Sequence, residues 1–386
     1  MHNQTLQPLG VVPERINEIP VILQGRLSDC LQQMISAYPK KNELIVVDMR
    51  SANRVVEYCS QDQVITVETG ISLKQLQAIV EPMHQYFPCT ASEEQTVLEV
   101  INSGATGPLE HAFALRSLVL GLEVVLANGK TIKTGGKVVK NVTGYDLTKL
   151  FIGARGTFGI PVKAHLRLYS KQERLEVFVV AGLTIENYLT LSNRLIASGL
   201  PIAAIDLVHN LPIKALGDWP PQACLLVAIS EHQEIVNELE PMLEKFFVEA
   251  QAMVRSFSDR EAETILLEQG TLIVWDRAAF ELAVPRSEFG RLQKVILDAC
   301  PSTQFQYRPG TGSLKAKAES PENLQTILAA IKSYAQGRPL AVAYADEAFE
   351  YKVERMPSGV PEVDKLIQSI KTNFDPENRM NPFVKL

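Results

Sequence analysis

The sequence predicts an α+β protein of two lobes. Three observations carry that reading: the length set against the hydrophobic content, short β-branched runs alternating with segments of helical apolar spacing, and a hairpin signal at Asn128-Gly129. A single core stops growing near ~250 residues, so 386 residues with 46% hydrophobic content are expected to divide. The 38 basic and 44 acidic residues give a net charge of -6, which offers no long-range attraction for nucleic acid or an anionic membrane. Apolar runs such as 223–229 fall far short of the ~20 residues that span a bilayer, so no membrane span is expected. The first twenty residues lack the charged-then-apolar pattern of a secretory signal, and a cytoplasmic location is expected.

Taken in order, ELIVV (43–47) and VITVET (64–69) read as strands, and 71–83 has helical spacing after a Gly-Ile-Ser start. The run from Leu118 to Leu126 reads as a strand. Asn128-Gly129 tolerates positive φ, and TIKTGG returns as its partner. From Glu176 the rhythm changes to strand (EVFVVAGL), helix (185–198), strand (AAIDLV), strand (CLLVAIS), helix (232–249) and strand (AMVRSF). A helix near 259–269 follows, then TLIVW, FELAV, a helix over 286–299, TQFQYRP, a helix over 321–335 and LAVAY. Two βαβ-like halves on one antiparallel sheet suggest a ferredoxin-like cap lobe. A helix near 361–373 leads into the tail. The expected divisions are 1–175, 176–345 and a C-terminal helix and tail over 346–386 that returns to the first lobe.

Five widely spaced cysteines without a CxxC pair support neither a disulfide framework nor an iron–sulfur site, and six scattered histidines lack metal-ligand spacing, so no metal is assigned. The informative segment runs from Gly129 to Gly159, where seven glycines are interleaved with Lys137, Lys140, Asn141, Tyr145, Asp146 and Lys149. Glycine lets a backbone approach a phosphate or a flat ring without a Cβ in the way. The plainer alternative is a set of turns; the interleaved polar residues favour a ligand-shaped loop. Spacing alone does not name the ligand.

The stretch 118–160 resembles the PCMH-type (vanillyl-alcohol-oxidase-like) FAD-binding family, specifically the glycolate oxidase E subunit and its D-lactate dehydrogenase relatives. Flanking likenesses are SANRVVEY with VITVETGISLKQLQ, the Gly107-Pro108 pair and the terminal DPENRMNP. The likeness covers about Glu43 to Leu168 and the tail. It implies an FAD-binding lobe joined to an α+β cap with the flavin between them. The implied role is that of an FAD-binding electron-transfer subunit in a glycolate or D-lactate (2-hydroxy acid) dehydrogenase complex, with a D-type flavoprotein subunit and an iron–sulfur subunit as partners. By position, main-chain groups at Ser103, Gly104, Thr106 and Gly107, and at Gly153, Gly156, Thr157, Gly159 and Ile160, would line the FAD. Lys137, Asn141 and Tyr145 would shape the loop around it, and Asn381 would close the site from the tail.

The chain departs from the family pattern in named places. No glycine lies between Gly25 and Gly70, where the family has a glycine-rich phosphate loop. Leu98 and Glu99 stand where paired glycines are usual, Gly104 where asparagine is, and Phe383 where glycine is. These changes imply FAD bound weakly, bound differently or lost. The alternative function is therefore a noncatalytic flavin-fold scaffold. With no histidine between His2 and His84, a flavin would be noncovalent, and no catalytic residue is assigned. His111 is the best-placed base but reads as a structural histidine, Tyr145 as a core anchor, and Arg308 before Pro309-Gly310-Thr311-Gly312 as a surface arginine beside a β-turn.

Overall fold

The computed structural model of the chain describes residues 48–89, 93–104, 107–137, 146–217, 219, 222–271, 278–335, 340–344, 352–355, 361–380 and 384–385. In chain order its strands are β1 (Val55–Cys59), β2 (Val64–Glu68), β3 (Gln85–Tyr86), β4 (Val119–Val125), β5 (Thr131–Gly135), β6 (Ile160–Arg167), β7 (Tyr169–Ser170), β8 (Arg174–Ala181), β9 (Ala204–His209), β10 (Ala223–Glu231), β11 (Met253–Ser258), β12 (Ala279–Ala283), β13 (Gln304–Arg308), β14 (Ser313–Lys317), β15 (Leu340–Tyr344), β16 (Lys352–Arg355) and β17 (Val384–Lys385). The segment expected as a strand at 43–47 lies outside the described residues, as do residues 272–275 of the one expected at 271–275.

A five-stranded sheet has the order β1-β2-β6-β4-β5. Its β4–β5 hairpin turns where Asn128-Gly129 places it, and Asn128 Oδ1 accepts from the Lys130 amide at 3.0 Å. β6 lies at the centre, antiparallel to both β2 and β4, and turns Ala164 and Leu166 into the core in alternation with Lys163 and His165. The helix Leu73–Val80 starts on a capping box, Ser72 with Gln75, and buries Leu73, Leu76 and Val80 on this sheet. The C-terminal helix Pro361–Phe374 packs Ile367, Ile370 and Phe374 on the same core. Gly70 crosses so near the chain before it that a Cβ there would overlap the carbonyl oxygens of Met49 and Ala52.

The second sheet has ten strands in the order β11-β8-β10-β9-β13-β14-β12-β15-β16-β17. Two ferredoxin-like units are joined edge to edge within it. Each runs strand, helix, strand, strand, helix, strand, and they meet where β9 pairs antiparallel with β13. The helices Ile185–Ala197, Gln233–Glu249, Arg286–Ala299 and Pro321–Ala335 cover one face and build the larger core with Leu225, Val227, Phe280, Phe305 and Leu314. The α+β architecture and ferredoxin-like cap read from the sequence are thus present. Among the described residues no helix is long and apolar enough to cross a membrane.

His209, at the end of β9, is 4% exposed and stacks on Phe305 with ring centroids 4.8 Å apart. Neither ring nitrogen has a hydrogen-bond partner, and burial pushes its pKa below the ordinary value. Its neutral form therefore supports the fold fully above the unfolded pKa of about 6.5, and that support is lost as pH falls toward the folded pKa. Replacing His209 by Leu should flatten the acid side of the stability profile by at most about 1.4 kcal/mol per pH unit in urea unfolding between pH 6.5 and 5; an unchanged slope would contradict this. Gly70→Ala should cost about 3 kcal/mol by overpacking, whereas Gly136→Ala, with open space around the new methyl, should stay near neutral in the same assay.

Candidate functional site

The helix Val97–Ser103 begins at Thr96, whose backbone N–H donates to Glu99 Oε2 at 2.7 Å while the Glu99 amide donates to Thr96 Oγ1 at 3.2 Å. This capping box puts the chain's own carboxylate at the helix start, so a ligand phosphate has no vacant donors to meet there. Leu98, at one of the expected paired-glycine positions, packs instead against the cluster of Met49, Ala52, Val125 and Val162.

The other end of this helix is open in character. Gly104 ends it with φ +67°, and a Cβ on Gly104 would come 3.1 Å from the Cα of Gly153, itself at φ +79°. Two glycines are needed for that approach and for those left-handed backbones. The loop after Gly153 zips onto the helix end: the Gly153 amide donates to Ile101 O and the Arg155 amide to Asn102 O, both at 2.8 Å. Thr157 is fully buried and donates its hydroxyl to Ala154 O at 2.6 Å. Ser103, Gly104, Gly153, Gly156 and Thr157 therefore share one corner, bordered by Gly159 and Ile160 at the start of β6. Beside Gly156 sits Asn102, whose Oδ1 is buried without a hydrogen-bond partner. A buried acceptor left unsatisfied costs about 1–3 kcal/mol, and a ligand hydroxyl or ring N–H would satisfy it. On that test the corner fits FAD, which offers both kinds of donor.

The remaining expected residues are distributed differently. Lys137 is half-exposed and ion-paired with Glu57 of β1. Gly107 precedes the short 3-10 helix Pro108–His111, which leads to the second sheet. Thr106, Asn141, Tyr145 and Asn381 lie outside the described residues, as do Lys140 and Phe383.

Where Pro108–His111 meets the β13–β14 turn, a crevice is lined by Pro108, His111, Ile205, Asp206, Arg308, Gly310 and Thr311 and is too tight for a water molecule. The His111 ring presses on Gly310, so that a Cβ at 310 would overlap His111 Nδ1. Burial lowers the His111 pKa, the Asp206 carboxylate opposes that shift, and Arg286 adds to it. Arg308 corrects the expectation of a surface side chain. It is 5% exposed, and its Nε lies 3.3 Å from Asp206 Oδ1. The adjoining β-turn is present, with the Thr311 amide donating to Arg308 O at 3.2 Å. Asp206, 1% exposed, also accepts from Gln269 and, at 3.3 Å, from Gln306. Asp206 carried one sequence signal that went unused: a lone carboxylate inside the apolar run AAIDLV, which burial tolerates only with partners.

The two ferredoxin-like units differ on the face away from their helices. In the first unit Val177, Val179, Val208 and Leu226 lie under the helix Asp259–Thr271, which covers them with Ala262, Ile265 and Leu266. The corresponding side chains of the second unit are Glu281, Gln306, Ser313, Lys315 and Lys317, with Arg308 at the end that touches His111. Ser313 donates to Glu281 at 3.3 Å. The two units thus share a topology but differ in this face, apolar in the first and polar in the second.

Residues 15–135 match the family model described as "FAD binding domain". The chain is 28% identical over 273 residues to glycolate oxidase subunit GlcD of Bacillus subtilis, covering 66% of this chain and 58% of that protein. It is 32% identical over 156 residues to glycolate oxidase subunit GlcE of Escherichia coli, covering 39% of this chain and 43% of that protein. It is 31% identical over 175 residues to a probable mitochondrial D-lactate dehydrogenase of Danio rerio, covering 44% of this chain and 35% of that protein. The matches thus span between about a third and three fifths of these curated relatives. Among solved structures, alkyldihydroxyacetonephosphate synthase superposes with a TM-score of 0.66 at 12% identity, covering 92% of this chain and 75% of that one. Substrate-bound p-cresol methylhydroxylase does so with a TM-score of 0.63 at 17% identity, covering 86% and 78%. The family match supports the FAD-binding reading over the flavin-free one.

Removing one partner of the Asp206 cluster strands buried donors. Asp206→Asn should cost about 3 kcal/mol, and Arg308→Met should cost less in that background than alone. A double-mutant cycle in urea checks this, and additivity within about 0.5 kcal/mol would refute the coupling. Residues 15–135 are thus similar to an FAD binding domain, and the chain shares its fold with p-cresol methylhydroxylase.

Proposed function

We propose that this chain is the FAD-binding, electron-transferring component of a 2-hydroxy-acid dehydrogenase complex of the glycolate oxidase or D-lactate dehydrogenase kind. In this reading it works in the cytoplasm with a D-type flavoprotein subunit and an iron–sulfur subunit. The observation that carries it is the corner where the end of Val97–Ser103 meets the loop after Gly153, within a chain similar to subunits named GlcD and GlcE. The proposed divisions are an FAD-binding unit over 1–175, a cap over 176–345 and a returning segment over 346–386.

Main-chain groups of Ser103, Gly104, Gly153, Gly156 and Thr157 would hold the cofactor, and Asn102 would accept a hydrogen bond from it. The bound FAD supplies reversible two-electron chemistry. The protein's own residues bind it, orient it and exclude water. The self-capped start of Val97–Ser103 favours phosphate recognition elsewhere on the chain. His111 is half-buried, has its pKa lowered by that burial and is wedged on Gly310, which suits a contact between the two sheets better than proton transfer. With no base assigned among the described residues, this reading leaves oxidation of the hydroxy acid to the partner flavoprotein.

Purified protein incubated with FAD and desalted should keep a flavin absorption band; a colourless protein after reconstitution overturns the reading. Asn102→Leu should weaken FAD binding about tenfold while raising the stability of the cofactor-free protein by about 1 kcal/mol, because it removes an acceptor that only the ligand satisfies. Fluorescence titration and thermal unfolding measure the two effects, and a loss of stability in the free protein would contradict the assignment.

A further inference from the structure

Lys371 lies in the last turn of the helix Pro361–Phe374 and is 8% exposed. An ammonium carries three N–H donors and no acceptor, and burying it demands that all three be used. All three are. Lys371 Nζ donates to Asp375 Oδ2 at 2.5 Å, to Met380 O at 2.8 Å and to Thr157 O at 2.8 Å. None of these acceptors is a carbonyl of its own helix, so the side chain is doing more than complementing the helix dipole. One bond reaches the loop of the cofactor corner, 214 residues away in sequence. Another reaches the tail.

The tail is shaped by the same group. Asp375 Oδ1 accepts from the Arg379 amide at 2.8 Å and Oδ2 from the Met380 amide at 2.7 Å, and the Asn378 amide donates to Asp375 O at 3.0 Å. On the other side, Thr157 is bonded to Ala154, and the loop it ends is bonded at Gly153 and Arg155 to the helix end carrying Asn102 and Gly104. Lys371 is thus the junction of a series of hydrogen bonds, linked through the backbone of 153–157, from the C-terminal segment to the corner.

We propose that Lys371 is a positioning residue that fixes the C-terminal segment against the cofactor corner, and that cofactor retention depends on this junction. The proposal rests on the reading of that corner as part of the FAD site.

The test pairs two measurements on the full chain. In cofactor-free Lys371→Met, hydrogen exchange of the Arg379 and Met380 amides should accelerate at least tenfold; unchanged exchange overturns the positioning role. In the same variant the FAD dissociation constant, measured by fluorescence titration well below the unfolding temperature, should rise at least tenfold. A value within twofold of the parent overturns the dependence of retention on Lys371, since a residue important only for stability would leave it unmoved. Asp375→Asn keeps the bond to Thr157 and loosens only the tail, so it should speed exchange with a smaller change in FAD affinity. Lys371→Arg, which keeps the charge in a planar head that does not match three converging acceptors, should fall between Met and the parent and serves if Lys371→Met does not fold. A parent protein that retains no FAD overturns the functional reading and the retention half of this proposal, while the exchange comparison still decides the positioning role.

Discussion

The pairing of β9 with β13 is the constraint on which the second sheet depends. Three residue pairs, His209 with Phe305, Val208 with Gln306 and Leu207 with Tyr307, turn two four-stranded units into one continuous surface. Because strand side chains alternate, that register decides two things together. It stacks His209 on Phe305 on the helix-covered side, and on the other side it brings Asp206 to Gln306 and Arg308. A slip of one residue would send the carboxylate into the apolar core and leave the guanidinium facing Leu and Val. The turn following β13 then carries Gly310 to His111, so the fit between the two sheets also follows from this join.

Buried polar groups recur wherever separate parts of the chain meet. Asp206 with Gln269, Gln306 and Arg308 gathers β9, β13 and the helix Asp259–Thr271. Lys371 gathers the C-terminal helix, the tail and the loop at Thr157. Apolar packing is nondirectional and tolerates sliding, whereas a buried charge tolerates only the arrangement that satisfies it. Asn102 differs from both because its acceptor is unmet by the protein.

The sequence was most legible where one local rule dominates. Helical periodicity placed 286–299 and 321–335 at their observed ends, and the Asn-Gly dipeptide located the β4–β5 turn. The strand-helix rhythm identified the ferredoxin-like units. Strands β6 and β14 were not read, because IPVKAHLR and SLKAK alternate Lys, Arg and His with small apolar residues, and their strand character comes from pairing on both sides. The helix Val97–Ser103 was hidden within a stretch inspected for its missing glycines, although its Thr-x-x-Glu start is a capping signal. At the site, the resemblance named Ser103, Gly104, Gly153, Gly156 and Thr157, but nothing in their spacing shows that the two segments meet. The closeness of Thr157 and Lys371 is a tertiary fact, and only the four-residue interval from Lys371 to Asp375 was visible beforehand. Arg308 was misread because a Pro-Gly turn normally sits in solvent, and here the 3-10 helix of another part of the chain lies over it.

The unequal faces of the two ferredoxin-like units carry a consequence for how such a protein diverges. Where Val177, Val179 and Leu226 lie beneath a helix, nearly every substitution alters packing, and descendants that change there lose the fold before they gain anything. On the polar face of β12–β14 the side chains that hold the core, Phe280, Leu282, Leu314 and Ala316, point the other way, so exchanging the half-buried Glu281 or Ser313 opens no cavity in it. One copy of the repeat thus supplies ballast and its twin supplies variation. Selection for a new ligand has an inexpensive place to act, a few ångströms from residues it cannot afford to disturb.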